Sequence, residues 1–166
     1  MKRMIEHVAL RVTDLDRSID FYRTVMGFKP VSRRMLSGGA LEQVVFRVGE
    51  DVLVLFYSHD AEKVIPEASE LGVSENLKKK ASQKWTGGMD HVAFSLDDEE
   101  YDAVIRRLGE NGYKFHRQDK NLGAFGIGYA TYFYDPDHIE VEIKRYDDPP
   151  EQPGDEWFET GQKYSE

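Results

Sequence analysis

The chain has no cysteine in its 166 residues. That absence excludes disulfides, thiolate nucleophiles and cysteine-type zinc sites. No apolar run approaches the roughly 18 residues needed to span a bilayer, so no membrane helix is expected. Met1-Lys-Arg leads directly into a strand-like stretch without a long apolar leader, which makes the cytoplasm the expected compartment. Basic residues are also scarce, 22 Lys and Arg against 31 Asp and Glu, for a net charge of −9. General binding to nucleic acid or an anionic membrane requires a basic footprint and is not expected. What is present suffices for a core: 40 % of residues are hydrophobic, and the length suits one domain. Any bound metal would be held by His and carboxylate, a set suited to iron, manganese, nickel or zinc.

The chain nearly repeats itself. Residues 6–29 read EHVALRVTDLDRSIDFYRTVMGFK and residues 90–114 read DHVAFSLDDEEYDAVIRRLGENGYK. Each copy has an acid, His-Val-Ala, a short apolar strand, an acidic helix start, an amphipathic helix and Gly-aromatic-Lys. A two-fold repeat places His7 and His91 symmetrically, and paired imidazoles are raw material for a metal site.

Residues 5–12 alternate as a strand, with His7, Ala9 and Arg11 on one face and Val8, Leu10 and Val12 on the other. Thr13, Asp14 and Asp16 can cap a helix whose Leu15, Ile19, Tyr22 and Met26 recur at helical spacing, and Gly27 stops it. Strands at 28–34, 41–48 and 52–58 complete a β-α-β-β-β order, with turns at Gly38-Gly39 and Gly49-Glu50-Asp51. The second half repeats it: a strand at 90–96, and a helix capped by Asp97 or Asp98 with a Tyr101, Val104, Ile105, Leu108 stripe. Gly112 ends that helix, and strands follow near 113–117, 128–134 and 139–145. The expected organisation is a first module over 1–58, a linker or lid over 59–88, a second module over 89–146 and a tail over 147–166. The linker is polar, with Lys78–Lys80 as a solvated run. The tail is acidic, bears proline and is expected to lack regular structure, although Trp157 and Phe158 can dock it.

Strand parity decides which side chains meet. In the last strand Ile139, Val141 and Ile143 share one face, and Glu140, Glu142 and Lys144 share the other. The apolar face should pack on the helices, leaving the charged face to line a concavity. His7 and His91 should project into it from the two first strands. Glu140 and Glu142 both have the parity to join them. Two imidazoles and one carboxylate leave up to three positions on an ion for substrate, oxygen or water.

HVALRVTDLDRSIDFYRTVMGF, the second His-Val-Ala strand and YFYDPDHIEVEI together resemble the vicinal oxygen chelate superfamily of glyoxalases, bleomycin-resistance proteins and extradiol dioxygenases. The resemblance covers about residues 4–146. It implies an α+β fold of two βαβββ modules whose curled mixed sheets surround a metal-binding cavity. It also implies a ligand set of His7, His91 and Glu142, because Glu142 lies seven residues after Asp135 of the Asp-Pro-Asp turn. The fourth ligand position of glyoxalase I aligns with Val54, which cannot bind a metal. That departure turns the implied chemistry from glyoxalase I or epimerase activity toward extradiol dioxygenases and fosfomycin-modifying transferases.

Within that choice a dioxygenase acting on a small oxygenated substrate is slightly favoured. Fe2+ or Mn2+ is the favoured ion, with Ni2+ or Zn2+ as alternatives. Tyr132, three residues before Asp135, is the implied catalytic residue, placed to hydrogen-bond an anionic oxygen. A glyoxalase-type lyase, a transferase acting on a small oxyanion, and a metal-free binding module are the rivals. The resemblance leaves open whether modules pair within the chain or are exchanged between chains of a homodimer. No acid–base histidine is visible among residues 51–57; His59 lies just beyond, and His116 has no motif support. His138 fits a turn position requiring positive φ. Gly123–Gly128 precedes a strand and does not open a helix, so a nucleotide cradle is not expected. Arg11, Arg47 and Lys144 have parities that let them bind a substrate carboxylate.

Overall fold

A computed structural model describes residues 6–63, 89–123 and 125–147. They form two compact units, one built on the first-half elements together with Asp135–His138, the other on the second-half elements. The linker residues 64–88, the Lys78–Lys80 run, Trp157 and Phe158 lie outside the described residues.

In the first unit, β1 (Val8–Arg11), α1 (Leu15–Thr24), β2 (Lys29–Leu36), β3 (Leu41–Val48) and β4 (Asp51–Ser58) follow the expected order. The sheet order is β1-β4-β3-β2, with β1 parallel to β4 and the other pairs antiparallel. Asp14 caps α1 by accepting from the Arg17 amide at 3.0 Å. Gly27 follows at φ 76°, a left-handed conformation that stops the helix. Helical spacing buries Leu15, Phe21 and Tyr22, and alternation on the strands buries Val44, Phe46, Leu53 and Leu55. Removing these apolar side chains from water is the main drive to fold the unit.

The second unit repeats the plan with β5 (Val92–Ser95), α2 (Asp98–Glu110), β6 (Phe115–Gly123), β7 (Gly126–Tyr134) and β8 (Glu140–Tyr146). Its order is β5-β8-β7-β6, and β5 runs parallel to β8. Asp97 caps α2, accepting from the Glu100 amide at 2.8 Å. The helix buries Tyr101, Val104 and Leu108, while the sheet buries Phe133, Val141 and Ile143. Tyr101 shares a hydrogen bond with Thr131, and Gln118 Nε2 donates to Thr131 Oγ1 at 2.9 Å. These contacts mark the helix-side face and leave Glu140, Glu142 and Lys144 on the other.

Three details differ from the pattern read in the sequence. His7 and His91 each immediately precede their strands, which begin at Val8 and Val92. β6 extends to Gly123 rather than ending near 117, because its ladder to β7 uses backbone groups that a polar run does not interrupt. β7 begins at Gly126 rather than near 128, and Gly126 pairs with Gly123 at the end of the β6–β7 ladder. A side chain at Gly128 would collide with the Arg145 carbonyl oxygen, so close backbone approach explains that glycine.

Candidate metal centre

The pairing of β5 with β8 determines what His91 can reach. Ala93 is in register with Glu142, so His91, two residues earlier, lies over the same face. His91 Nε2 sits 3.1 Å from Glu142 Oε2. Two ligand atoms, each about 2.1 Å from one ion at a right angle, are separated by about 3 Å. The donor pair therefore fits a divalent cation both in chemistry and in spacing.

The electrostatics of the pair are coupled. The Glu142 hydrogen bond raises the His91 pKa above its ordinary value, with a further contribution from Asp90, against the opposing effect of burial. Burial pushes the Glu142 carboxyl up, but His91, the Tyr132 hydrogen bond and the Lys144 charge outweigh it and hold it low. Both groups are thus biased toward their charged forms.

A polar network surrounds Glu142. Tyr132 stands opposite it across the β7–β8 ladder, and its hydroxyl donates to Glu142 Oε1 at 3.0 Å. Asn121 Nδ2 donates to the same hydroxyl at 3.0 Å, and Lys144 Nζ donates to the Asn121 carbonyl at 2.9 Å. The Arg117 guanidinium lies 4.7 Å from the Tyr132 ring centroid and donates through Nε to Asp119 at 2.7 Å. Burial and the Glu142 charge raise the Tyr132 pKa well above the phenol range, so the hydroxyl keeps its proton for donation. Burial lowers the Lys144 pKa, against the pull of Glu142 and Asp119.

Glu140 has a different partner. Its Oε1 lies 2.8 Å from His116 Nε2, and the His116 ring stacks on Tyr134 with centroids 4.7 Å apart. β6 slips register between Phe115 and Arg117, leaving His116 as the extra residue of a β-bulge. A bulge re-aims side chains, and here it lets consecutive residues reach Glu140 and Tyr132 on one face. Ligand atoms of Asp90, His91 and Glu140 also fall within 4.8 Å of one another, giving the carboxylates 140 and 142 rival claims on one imidazole.

The other singled-out residues lie in the first unit. His7 is exposed, its Nδ1 3.6 Å from Glu6 Oε2. His59 Nε2 is 3.3 Å from Glu42 Oε2 and its ring meets the Tyr57 ring edge-on. Val54 is buried and in register with Ala9, as Glu142 is with Ala93, so it occupies the equivalent position. Arg11 and Arg47 are exposed. His138 adopts φ 59°, the turn conformation expected of it.

The Asp-Pro-Asp turn serves the first unit. Asp137 accepts from the Thr13 amide and Ser18 hydroxyl, each at 2.9 Å, and Asp135 accepts from Tyr22 at 2.9 Å. Burial and Asp135 push the Tyr22 pKa well up. No sequence motif supports His116, and a strand expected to end near 117 leaves Arg117 and Asn121 unmarked. The usable signal was the period-two Arg117, Asp119, Asn121 pattern in a longer strand.

Comparisons with known proteins agree with this architecture. A curated relative, the glutathione transferase FosA of Serratia marcescens, is 24 % identical over 143 residues, covering 86 % of this chain and 81 % of that protein. A glyoxylase/bleomycin resistance protein/dioxygenase domain from Frankia sp. EAN1pec superposes with TM-score 0.65 at 21 % identity, covering 87 % of this chain and 98 % of the other. A point mutant of the fosfomycin resistance protein FosX from Listeria monocytogenes superposes with TM-score 0.56 at 16 % identity, covering 87 % and 93 %. That structure was solved with Mn(II) and 1S,2S-dihydroxypropylphosphonic acid. The family model described as the Glyoxalase/Bleomycin resistance protein/Dioxygenase superfamily matches residues 4–143, and the chain belongs to that superfamily.

Proposed function

We propose that this chain is a divalent-metal enzyme acting on a small oxygenated substrate that carries an oxyanion. His91 Nε2 and Glu142 supply two ligands, and His7 is the third member of the set that the sequence repeat and the resemblance imply. The observation that carries this reading is the 3.1 Å His91–Glu142 pair on a sheet face that also bears Lys144 and Arg117. When bound, the ion acts as a Lewis acid and template for the substrate oxygens. Lys144 and Arg117 favour an anionic group beside it, and Tyr132, whose single O–H is donated to Glu142, turns that donor toward a developing negative charge. Transfer of a thiol to such a substrate is the leading subclass, supported by the name glutathione transferase that FosA carries; addition of water is its variant, suggested by the dihydroxypropylphosphonic acid held by the FosX mutant.

An extradiol-type dioxygenase is the second reading. The observation favouring it is His116, an imidazole that the β6 bulge delivers to the Glu140 carboxylate on the same face. Metal-free sequestration fits the His91–Glu142 pair less well, since a binding module has no need of it. A homodimer and a cytoplasmic location remain part of the proposal; among the described residues, no helix is long and apolar enough to cross a membrane.

Metal analysis of protein purified without chelator or histidine tag tests the first step. About one Mn or Fe ion per chain is expected. Mn(II)-loaded protein is then given fosfomycin with glutathione or with water, and Fe(II)-loaded protein is given catechol and dioxygen. Oxidation of catechol without consumption of fosfomycin would exchange the two readings. Absence of stoichiometric metal would overturn both.

A further inference from the structure

Each half of the chain places an acid directly before its histidine, Glu6 before His7 and Asp90 before His91. In both halves the acid approaches the same ring atom. Asp90 Oδ2 lies 2.8 Å from His91 Nδ1, and Glu6 Oε2 lies 3.6 Å from His7 Nδ1. Since His91 Nε2 faces Glu142, Asp90 and Glu142 hold the two ring nitrogens from opposite sides.

We infer that Asp90 is a positioning residue: it accepts a hydrogen bond from His91 Nδ1–H and so presents the Nε2 lone pair to the metal. The inference rests on the proposed reading that His91 is a metal ligand. An imidazole binds through one nitrogen only when the proton sits on the other, and the partner of that proton fixes both tautomer and ring direction. Rotation of the ring would otherwise exchange its two edges, and the Nδ1 edge points away from Glu142. Glu6 holds the same place beside His7 at a looser distance. The acid-His pair is repeated in sequence, but only Asp90 is at hydrogen-bond distance; Glu6, at 3.6 Å and exposed, holds no such bond to His7.

The test uses the full chain, with Mn(II) for affinity and Zn(II) for NMR. Loss of an outer partner of a metal-bound histidine costs about 10- to 100-fold in affinity. Asp90→Leu is expected to weaken Mn(II) binding by that factor, and Glu6→Leu by less. Asp90→Asn keeps an oxygen acceptor and should recover most of the loss, which a merely structural role would not require. In the Zn(II)-loaded protein, 1H–15N correlation should show His91 bound through Nε2 with a protected Nδ1–H, and Asp90→Leu should lose that protection. His91→Ala separates the layers of the argument. If it leaves Mn(II) affinity unchanged, His91 is no ligand and the inference falls with that reading. If His91→Ala abolishes binding while Asp90→Leu leaves it intact, the positioning role alone is overturned. Coordination of Zn(II) through Nδ1, with total loss of binding in Asp90→Asn, would make Asp90 a direct ligand beside Glu140 and overturn it equally.

Discussion

β4 and β8 hold the same place in their sheets, each paired in parallel with the first strand of its module. Register equates Val52, Val54 and Phe56 of β4 with Glu140, Glu142 and Lys144 of β8. One strand presents hydrocarbon where the other presents three charges. The edge strands differ in the same sense. Both β2 and β6 carry a register slip, but the extra residue is Val31 in one and His116 in the other. The two modules therefore share a backbone plan, while the buried charges of this strand position lie in the second. A buried charge is costly unless paired, and Glu142 is paired on both oxygens, by Tyr132 and by His91.

Removing the charge from β8 should give the largest effect. Glu142→Ala deletes the only anionic member of the proposed ligand set. Its loss of Mn(II) affinity, measured by calorimetry, should exceed the about 100-fold upper end for an outer-shell partner. An unchanged affinity would move the site toward Glu140. Tyr132→Phe keeps the ring and deletes one donor, and turnover should fall about 100-fold or more. Metal affinity should fall less than in Glu142→Ala, by at most the about 100-fold of an outer partner, since Tyr132 bonds the Glu142 carboxylate and is no proposed ligand. Equal metal loss in both variants would assign Tyr132 to support of the fold.

Giving β4 the residue of β8 probes the contrast between the two strands from the other side. Val54→Glu buries a carboxylate at an apolar position and should cost about 3 kcal/mol of stability, read by denaturant unfolding. Mn(II) should restore part of that loss if the first module can supply a fourth ligand near His7. No recovery would show that equivalent register does not make an equivalent site.

The smallest expected effect is a pH window in the metal-free protein. The folded His91 pKa is raised above the ordinary 6.5, so its contribution is complete below that value and lost as pH rises through the folded one. The folded Glu142 pKa is lowered below the ordinary 4.5, so its contribution is present above that value and lost as pH falls through the folded one. Both contributions coexist fully between pH 4.5 and 6.5. Thermal unfolding of wild type against Glu142→Gln should differ most within that interval, and a difference constant with pH would break the assignment.

The repeat, the helix caps and the strand order were legible because they depend on local propensity and on period. Asp14, one of three candidates, and Asp97, one of two, cap the helices, since an N-cap needs only a side-chain oxygen next to its own helix. The charged and apolar faces of β8 were legible because alternation along a regular strand is invariant. The reading fell short at β6, expected to end near 117 but running to Gly123, with a bulge at His116 that period alone does not reveal. The most specific motif, Asp-Pro-Asp, turned out to bond Thr13, Ser18 and Tyr22. The count of seven residues to Glu142 belongs to the resemblance, whereas the motif's own side chains accept hydrogen bonds within the first unit.

The sequence alone determined which residue types are available: no thiol, two matching histidines, and three charges on one face of the final strand. Only the tertiary structure decided the pairings, placing His91 with Glu142, His116 with Glu140 and Tyr132 against the Glu142 carboxylate. The reason is physical. Composition and period are properties of neighbours along the chain, whereas a hydrogen bond of about 3 Å depends on register between strands far apart in sequence.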